Sequence, residues 1–127
     1  GPPCYCGRTG CVETFLSGPG LSRDHARATG QVIDATALAA QACAGVPEAD
    51  ASLARYERRL ARALASVVNV LDPEVIVMGG GLSNIDRLYA SVPRLWGEYI
   101  FSDHVATRLV KARYGDSSGV RGAAWLW

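Results

Sequence analysis

The sequence lacks the features that mark several functional classes. Its thirteen basic and twelve acidic residues leave a formal net charge of +1, so it carries no electrostatic footprint for nucleic acid or for an anionic membrane. No apolar run approaches the roughly 20 residues that are needed to span a bilayer. Residues 1–4 form neither the charged region nor the apolar region of a signal peptide. We therefore expect a protein that binds neither nucleic acid nor membrane.

An initiator methionine is also missing, and we expect that the sequence begins inside a longer protein. What is present still suffices for one globular domain with a core, since 49% of the 127 residues are hydrophobic. An apolar content this high argues against disorder.

The four cysteines are not distributed as they are in a secreted disulfide scaffold, which would spread them through the chain. Cys4, Cys6 and Cys11 lie close together near the N-terminus, and only Cys43 is distant. Clustering within an otherwise ordinary apolar domain favours a reducing compartment and thiolate chemistry. The sequence therefore predicts a cytoplasmic protein.

Hydrophobic periodicity predicts alternating helices and strands. The predicted helices cover residues 13–17, 21–29, 34–44, 47–71, 84–99 and 120–127, and the predicted strands cover residues 74–78 and 107–112. The segment 17–20 is predicted to stop the first helix, and Asp34 and Asn84 are predicted to cap theirs. The helix 47–71 has a predicted apolar stripe formed by Leu53, Tyr56, Leu60, Leu64, Val67, Val68 and Leu71. The first strand is a continuous apolar run, which is typical of a strand buried on both faces. This order predicts an α/β fold. Because two strands do not form a stable independent sheet, we expect the chain to be part of a larger α/β domain.

The cysteine cluster has the pattern C-x-C-x4-C, and three soft ligands at this spacing can reach one tetrahedral ion. Gly7 and Gly10 allow the backbone to curl so that the sulfurs converge. Thiolates suit zinc, but a structural zinc site needs four protein ligands. Cys43, His25 or a residue upstream of the chain could supply the fourth. The alternative is three free or disulfide-paired cysteines.

Three further segments carry weaker signals. Glu13 follows the cysteines and could orient a substrate, although spacing alone favours a solvated side chain in the first turn of a helix. The glycines of residues 79–81 follow a strand, where they allow close approach of a ligand. They match neither a Walker loop nor a G-x-G-x-x-G fingerprint, and a tight turn is the alternative.

In residues 115–124, Asp116 or Ser117 is predicted to cap a helix, and the small residues that follow are predicted to allow close helix packing. Neither histidine lies beside a partner that would make it catalytic. We therefore interpret His25 and His104 as ordinary surface residues.

Taken together, these segments resemble the C-terminal part of the ROK family, which comprises bacterial sugar kinases and related repressors. The pattern C-x-C-G-x-x-G-C-x-E of residues 4–13 is similar to that family's zinc-binding signature, and residues 71–83 are similar to its strand and glycine motif. Residues 4–18 and 115–127 are closest to the fructokinase (manno-fructokinase) branch. The resemblance covers essentially the whole chain.

The resemblance implies an α/β fold of the actin-like (ribonuclease H-like) kind, a two-lobed ATPase in which the sugar and Mg·ATP meet between the lobes. Residues 1–127 would form a portion of the C-terminal lobe. Within it, residues 1–13 would be the zinc-binding motif and residues 74–83 the strand and glycine loop.

The resemblance also implies roles for individual residues. Cys4, Cys6 and Cys11 would be ligands of a structural zinc whose fourth ligand, a histidine, lies upstream of this chain. Glu13 matches the carboxylate that binds sugar hydroxyls, which reverses the interpretation from spacing alone. Gly79, Gly80 and Gly81 match the family's loop on the nucleotide side of the cleft.

The family's phosphate loop (Asp-x-Gly-x-Thr) and its Asn-Asp pair, whose Asp is the general base, are absent from this sequence. We therefore expect a C-terminal fragment without the N-terminal lobe, without a catalytic residue of its own and inactive alone. The full-length protein would phosphorylate a hexose with ATP, fructose to fructose 6-phosphate first, with mannose or glucose next. The family commonly dimerises through this lobe, so a homodimer is expected.

Two other functions remain open from the sequence. A ROK-type repressor would sense a sugar through the same lobes and carry a DNA-binding domain upstream. A free-standing zinc-binding interaction module would instead need a fourth metal ligand inside the chain.

Overall fold

A computed structural model describes residues 1–126 of the chain. Its helices are α1 (Gly18–Thr29), α2 (Ala35–Cys43), α3 (Pro47–Leu71), α4 (Leu88–Trp96) and α5 (Ser118–Ala124). Its strands are β1 (Val75–Met78) and β2 (Arg108–Lys111), and short 3-10 turns cover Val12–Thr14, Gly81–Asn84 and Gly97–Tyr99. The alternation of helices with a parallel strand pair agrees with the predicted α/β class.

The long helix α3 is the centre of the packing. Pro47 opens it and Asp72, in the left-handed region at φ 43°, ends it before Pro73. Its predicted apolar stripe is confirmed at Leu53 and Leu60, which are buried against the other helices. The prediction is wrong for Leu71, which is 70% exposed, because the stripe continues past the part of α3 that its neighbours cover.

The smaller helices start and stop where local chemistry dictates. Asp34 caps α2 as predicted, since its carboxylate accepts a 2.7 Å hydrogen bond from the N–H of Ala37. The Gly-Pro-Gly segment was predicted to stop a helix but instead opens α1. Ser17 accepts a hydrogen bond from the N–H of Gly20, and Pro19 is tolerated in a first turn, where its missing N–H costs nothing.

Two other helix predictions need correction. In place of the predicted helix 13–17, the structure has only the short turn Val12–Thr14. In place of the predicted helix 84–99, it has the shorter helix α4, which begins at Leu88, with a 3-10 turn before it and another after it. Asn84 does not cap this helix, because Gly81–Asn84 is a separate 3-10 turn.

The two strands pair in parallel, with Val75 opposite Arg108 and Met78 opposite Lys111. Ile76 packs on the helical core, whereas Val75 and Val77 on the other face are 40% and 58% exposed. The prediction of a strand buried on both faces is therefore wrong for this structure. Within residues 1–126 the helical core lies on one face of the pair only.

The C-terminal segment also differs from expectation. Ser117 precedes α5 but makes no side-chain capping bond, and a side chain built at Gly119 or Gly122 would meet nothing within 4 Å. Trp125 is 89% exposed, so its side chain does not pack in the core. Trp127, the last residue of the predicted helix 120–127, lies outside the described residues.

Within the part of the chain that the structure describes, no helix has both the length and the apolar character for a membrane crossing.

Burial around α3 yields a stability prediction. Leu53 is 1% exposed in the core, so Leu53→Ala should lower the free energy of unfolding by about 2–5 kcal/mol. Leu71→Ala removes the same atoms from an exposed site and should cost less than about 0.5 kcal/mol. Urea unfolding followed by tryptophan fluorescence measures both, and equal losses would contradict the packing described here.

Candidate functional site

The structure brings Cys4, Cys6 and Cys11 together. Their sulfurs all lie within 4.8 Å of one another, and the sulfurs of Cys6 and Cys11 are 3.5 Å apart. The curl is held by a 2.8 Å hydrogen bond from the N–H of Cys4 to the carbonyl of Arg8, and Gly7 at φ 83° makes it possible. The arrangement has the size and the donor atoms of a thiolate metal site.

The thiols of Cys6 and Cys11 differ in acidity. A hydrogen bond from the backbone N–H of Arg8 lowers the pKa of the Cys6 thiol. The hydrogen bonds that Cys11 makes with Cys6 and then with Cys4 raise the pKa of Cys11 to about 11. Without a metal ion, the thiol of Cys6 therefore ionises before the thiol of Cys11, and Cys11 can donate a hydrogen bond to it.

The two internal candidates for a fourth ligand do not lie at this cluster. His25 is fully buried, with Nδ1 2.9 Å from Ser52 Oγ and Nε2 3.3 Å from Gln31 Oε1. Cys43 is exposed at the end of α2. Among residues 1–126, the only group of metal-ligating side chains at this spacing is Cys4, Cys6 and Cys11.

The interpretation of His25 as a surface residue is wrong, because its face of α1 packs on α3. The hydrogen-bond partner Ser52 lies 27 residues along the chain, so nothing near His25 in the sequence signals its burial. His104 is exposed, as predicted.

Glu13 lies in the exposed middle of the turn Val12–Thr14, directly after the cysteines. Thr14 anchors this turn, since its hydroxyl donates a 2.6 Å hydrogen bond to the carbonyl of Cys11. On the other side, a side chain at Gly20 would stand 2.6 Å from the carbonyl oxygen of Thr14, so only glycine lets α1 approach so closely. The negative charge of Glu13, together with a hydrogen bond to it, raises the pKa of the Tyr5 phenol.

The glycine loop, residues 79–81, follows β1 directly. A side chain built at Gly79, Gly80 or Gly81 would meet nothing within 4 Å, so the backbone faces open space. Gly80 has φ 78°, which a larger residue adopts only with strain. Ser83 closes the turn by donating a 2.6 Å hydrogen bond to the carbonyl of Gly80.

A cavity of about 880 Å³ opens beside the glycine loop. Residues from the start of α1, from α2 and from α3 form its other walls, and its lining includes Pro19, Thr36, Ala39, Leu53, Gly81 and Arg87. This volume falls in the range of small-molecule and cofactor sites. Glu13 is not part of its lining.

Two cavity residues were missed or misread in the sequence. Asp116 was predicted to cap a helix, but its carboxylate accepts a 3.0 Å hydrogen bond from Asn84 in the turn after the glycines. This bond and one from Ser117 hold the pKa of Asp116 below its ordinary value. Arg87 carries no motif signal, because its partners on α3 lie 30 and 37 residues away.

Comparison with known proteins places these features in a family. The model of the ROK family matches residues 1–127. The chain belongs to the ROK family. An N-acetyl-D-glucosamine kinase of Yersinia pseudotuberculosis serotype O:1b (strain IP 31758) is 40% identical over 124 residues, which is 98% of this chain and 41% of the kinase.

Solved ROK structures share the fold. A ROK family glucokinase from Streptomyces griseus in complex with glucose and AMPPNP superposes with a TM-score of 0.85 at 26% identity, over 99% of this chain and 47% of that one. A ROK family transcriptional regulator, a homologue of the Escherichia coli MLC protein, gives 0.79 at 29% identity, over 98% of this chain and 34% of the regulator.

These comparisons confirm the family and the fold class, so the chain has part of the α/β fold of the actin-like sugar kinases. The chain spans about two fifths of the length of the curated relatives it matches. The relatives are named as N-acetyl-D-glucosamine kinases, so the fructokinase branch is not confirmed.

The cysteine geometry yields a metal prediction. Cobalt(II) added to the reduced protein should give thiolate charge-transfer absorption, and zinc should displace it. Cys6→Ser should abolish this absorption, whereas Cys43→Ser should leave it unchanged because Cys43 lies away from the cluster. Since the thiols must lose protons to bind, affinity should fall as the pH is lowered. If Cys6→Ser and Cys43→Ser changed the cobalt absorption equally, the result would exclude the site.

Proposed function

We propose that this chain is the C-terminal lobe of a ROK sugar kinase that transfers a phosphoryl group from Mg·ATP to a hexose hydroxyl. In it, residues 1–13 are the metal-binding motif and residues 74–83 are the strand and glycine loop. The observation that carries the proposal is the pairing of two features in a chain of this family. One is an exposed carboxylate fixed beside a cysteine cluster, and the other is a glycine loop open to a cavity of about 880 Å³.

On the sugar side, Glu13 would accept hydrogen bonds from hydroxyl groups of the hexose. Its turn is fixed by Thr14 on one side and by the close approach of Gly20 on the other, so its backbone is held rigidly. A carboxylate accepts hydroxyl hydrogen bonds more strongly than a neutral group does. Holding the acceptor sugar in place in this way supplies much of the acceleration in phosphoryl transfer.

On the nucleotide side, Gly79, Gly80 and Gly81 would lie against the phosphates. The absence of any atom within 4 Å of a side chain built there leaves the backbone accessible. The adjoining cavity is large enough for the rest of a nucleotide. The related glucokinase from Streptomyces griseus was solved with AMPPNP, which supports ATP as the phosphoryl donor.

The general base and the phosphate loop would come from the N-terminal lobe, so this chain has no proposed catalytic residue. Mg²⁺ bound with ATP would neutralise charge on the transferred phosphoryl group. The residues of this chain would hold the sugar and the nucleotide in the positions that phosphoryl transfer requires.

Cys4, Cys6 and Cys11 would bind a structural zinc ion, with an upstream histidine as the fourth ligand. The donor set fits, since the three sulfurs lie within 4.8 Å of one another. The ion would fix the segment that carries Glu13.

The identity of the sugar is the more specific part of the proposal. Relatives named as N-acetyl-D-glucosamine kinases make that sugar the first to test, and fructose, the prediction from the sequence, the second. Use of ATP is consistent with the cytoplasmic location predicted from the cysteines. A homodimer remains a prediction, for which the exposed Val70 and Leu71 at the end of α3 offer a surface.

A sugar-responsive repressor is the second candidate, and the likeness to a ROK family transcriptional regulator favours it. A free-standing zinc module has less support, because no fourth cysteine, histidine or carboxylate joins the cluster within residues 1–126. Reading the upstream sequence separates the first two, since a phosphate loop indicates a kinase and a helix-turn-helix indicates a repressor.

The test is a coupled assay of phosphoryl transfer by the complete protein. The complete protein here means these 127 residues together with the proposed N-terminal lobe. It should phosphorylate N-acetyl-D-glucosamine, fructose, glucose or mannose with ATP, while the 127-residue chain alone should show no turnover. Glu13→Gln should raise the KM for the sugar by about tenfold or more, since a hydrogen bond to a charged group contributes about 1.5–3 kcal/mol.

Glu48→Gln is the matched control, because Glu48 is an exposed carboxylate at the start of α3. Its KM should equal that of the unchanged protein. A complete protein that binds a sugar and an operator DNA but transfers no phosphoryl group would overturn the kinase proposal in favour of the repressor.

A further inference from the structure

Two charged residues on α3 lie in one helical turn but face different sides of the molecule. Glu57 and Arg59 are two positions apart, which separates their side chains by roughly 200° around the helix axis. We propose that this single turn of α3 positions both ligand-binding segments, the glycine loop through Glu57 and the Glu13 turn through Arg59. The inference rests on the proposed function for the identity of the two ligands.

The first contact is an ion pair between a buried carboxylate and a partly exposed guanidinium group. The side chain of Glu57 is 5% exposed, and both of its oxygens accept hydrogen bonds from Arg87, at 2.6 Å from Nε and 3.0 Å from Nη2. Asp50 on α3 accepts a third hydrogen bond from Arg87, at 2.6 Å. A two-pronged pair of this kind fixes both the position and the orientation of the guanidinium group.

Arg87 passes this restraint to the glycine loop. It lies between the turn Gly81–Asn84 and α4, and it lines the same cavity as Gly81. Tyr89, two residues later, donates a 2.6 Å hydrogen bond to the carbonyl of Ser83, and Ser83 in turn bonds to Gly80. The path from Glu57 to the glycine backbone therefore runs by hydrogen bonds to Arg87, along the chain from Arg87 to Tyr89, and by hydrogen bonds from Tyr89 through Ser83 to Gly80.

The second contact lies on the α1 side of α3. Arg59 donates a 2.9 Å hydrogen bond to Asp24 of α1, and its guanidinium carbon lies 5.2 Å from the centre of the Phe15 ring. Phe15 ends the turn that carries Glu13, so a cation over its ring presses that turn against α1 and α3.

Asp24 is held in place by two arginines. Its other carboxylate oxygen accepts a 2.9 Å hydrogen bond from Arg55. Burial alone would raise the pKa of Asp24, but the hydrogen bonds and charges of Arg59 and Arg55 outweigh it and keep this pKa below its ordinary value. The carboxylate is therefore ionised and keeps Arg59 over Phe15 at neutral pH.

These contacts fix the orientation of each side chain as well as its position, because each arginine donates directional hydrogen bonds to its carboxylate partner. Both contacts end on turns that carry proposed ligand-binding residues, and those turns have little regular structure of their own.

The test separates the two contacts in the complete protein. Glu57→Gln keeps the shape but loses the charge, and it should raise the KM for ATP by about tenfold or more while the KM for N-acetyl-D-glucosamine, or fructose if that is the better substrate, stays within twofold. Arg59→Met should instead raise the KM for the sugar and leave the KM for ATP within twofold. Arg59→Lys, which keeps a cation between Asp24 and Phe15, should recover part of the sugar affinity.

Glu48→Gln and Arg58→Met are the matched controls, since both residues are exposed on the same helix. Neither should change either KM. A general loss of stability would reduce the folded fraction and so lower the apparent kcat with either substrate, so the opposite changes in the two KM values distinguish positioning from folding.

Amide hydrogen exchange gives a readout that does not depend on activity. Glu57→Gln should speed exchange in residues 79–88 and leave residues 11–16 unchanged, and Arg59→Met should show the opposite. If the complete protein transfers no phosphoryl group, the proposed function fails while exchange still decides this inference. Equal effects of both variants on both segments, or no effect on either, would overturn it.

Discussion

The packing of α3 against α1, α2 and α4 is the interaction on which the rest of the structure depends. The other helices have 7 to 12 residues and the sheet has two strands, so none of these elements would be stable alone. The 25 residues of α3 supply the apolar face that joins them, with Leu53 and Tyr56 almost fully buried. The polar sides of the same helix then carry charged contacts to the two turns proposed to bind ligands.

The cysteine segment is fixed by different physics. Among residues 1–126, the buried hydrophobic core begins at Leu21, so the first eleven residues gain little from apolar burial. Their shape comes from backbone hydrogen bonds, an isolated bridge between Pro3 and Thr9, and the convergence of three sulfurs. A bound metal ion would replace the missing core as the source of rigidity and would thereby hold the proposed sugar-binding carboxylate, which follows the last cysteine of the cluster by two residues.

Local patterns in the sequence predict those parts of the structure whose causes are local. The stripe of α3, the cap at Asp34 and the close spacing of the three cysteines all depend on residues within a few positions of each other. The burial of His25, the Glu57–Arg87 pair and the Asn84–Asp116 bond depend on partners 27 to 32 residues away, which no periodicity reveals. The strand Val75–Met78 was misread because its apolar run does not say how many faces are covered.

The most direct measurement is a crystal structure of the complete protein with a hexose and a non-hydrolysable ATP analogue. The account predicts a Glu13 carboxylate oxygen within about 3 Å of a sugar hydroxyl, and analogue phosphates against the backbone of Gly79, Gly80 and Gly81. A sugar that makes no contact with Glu13, together with a nucleotide that lies away from the glycine loop, would contradict it.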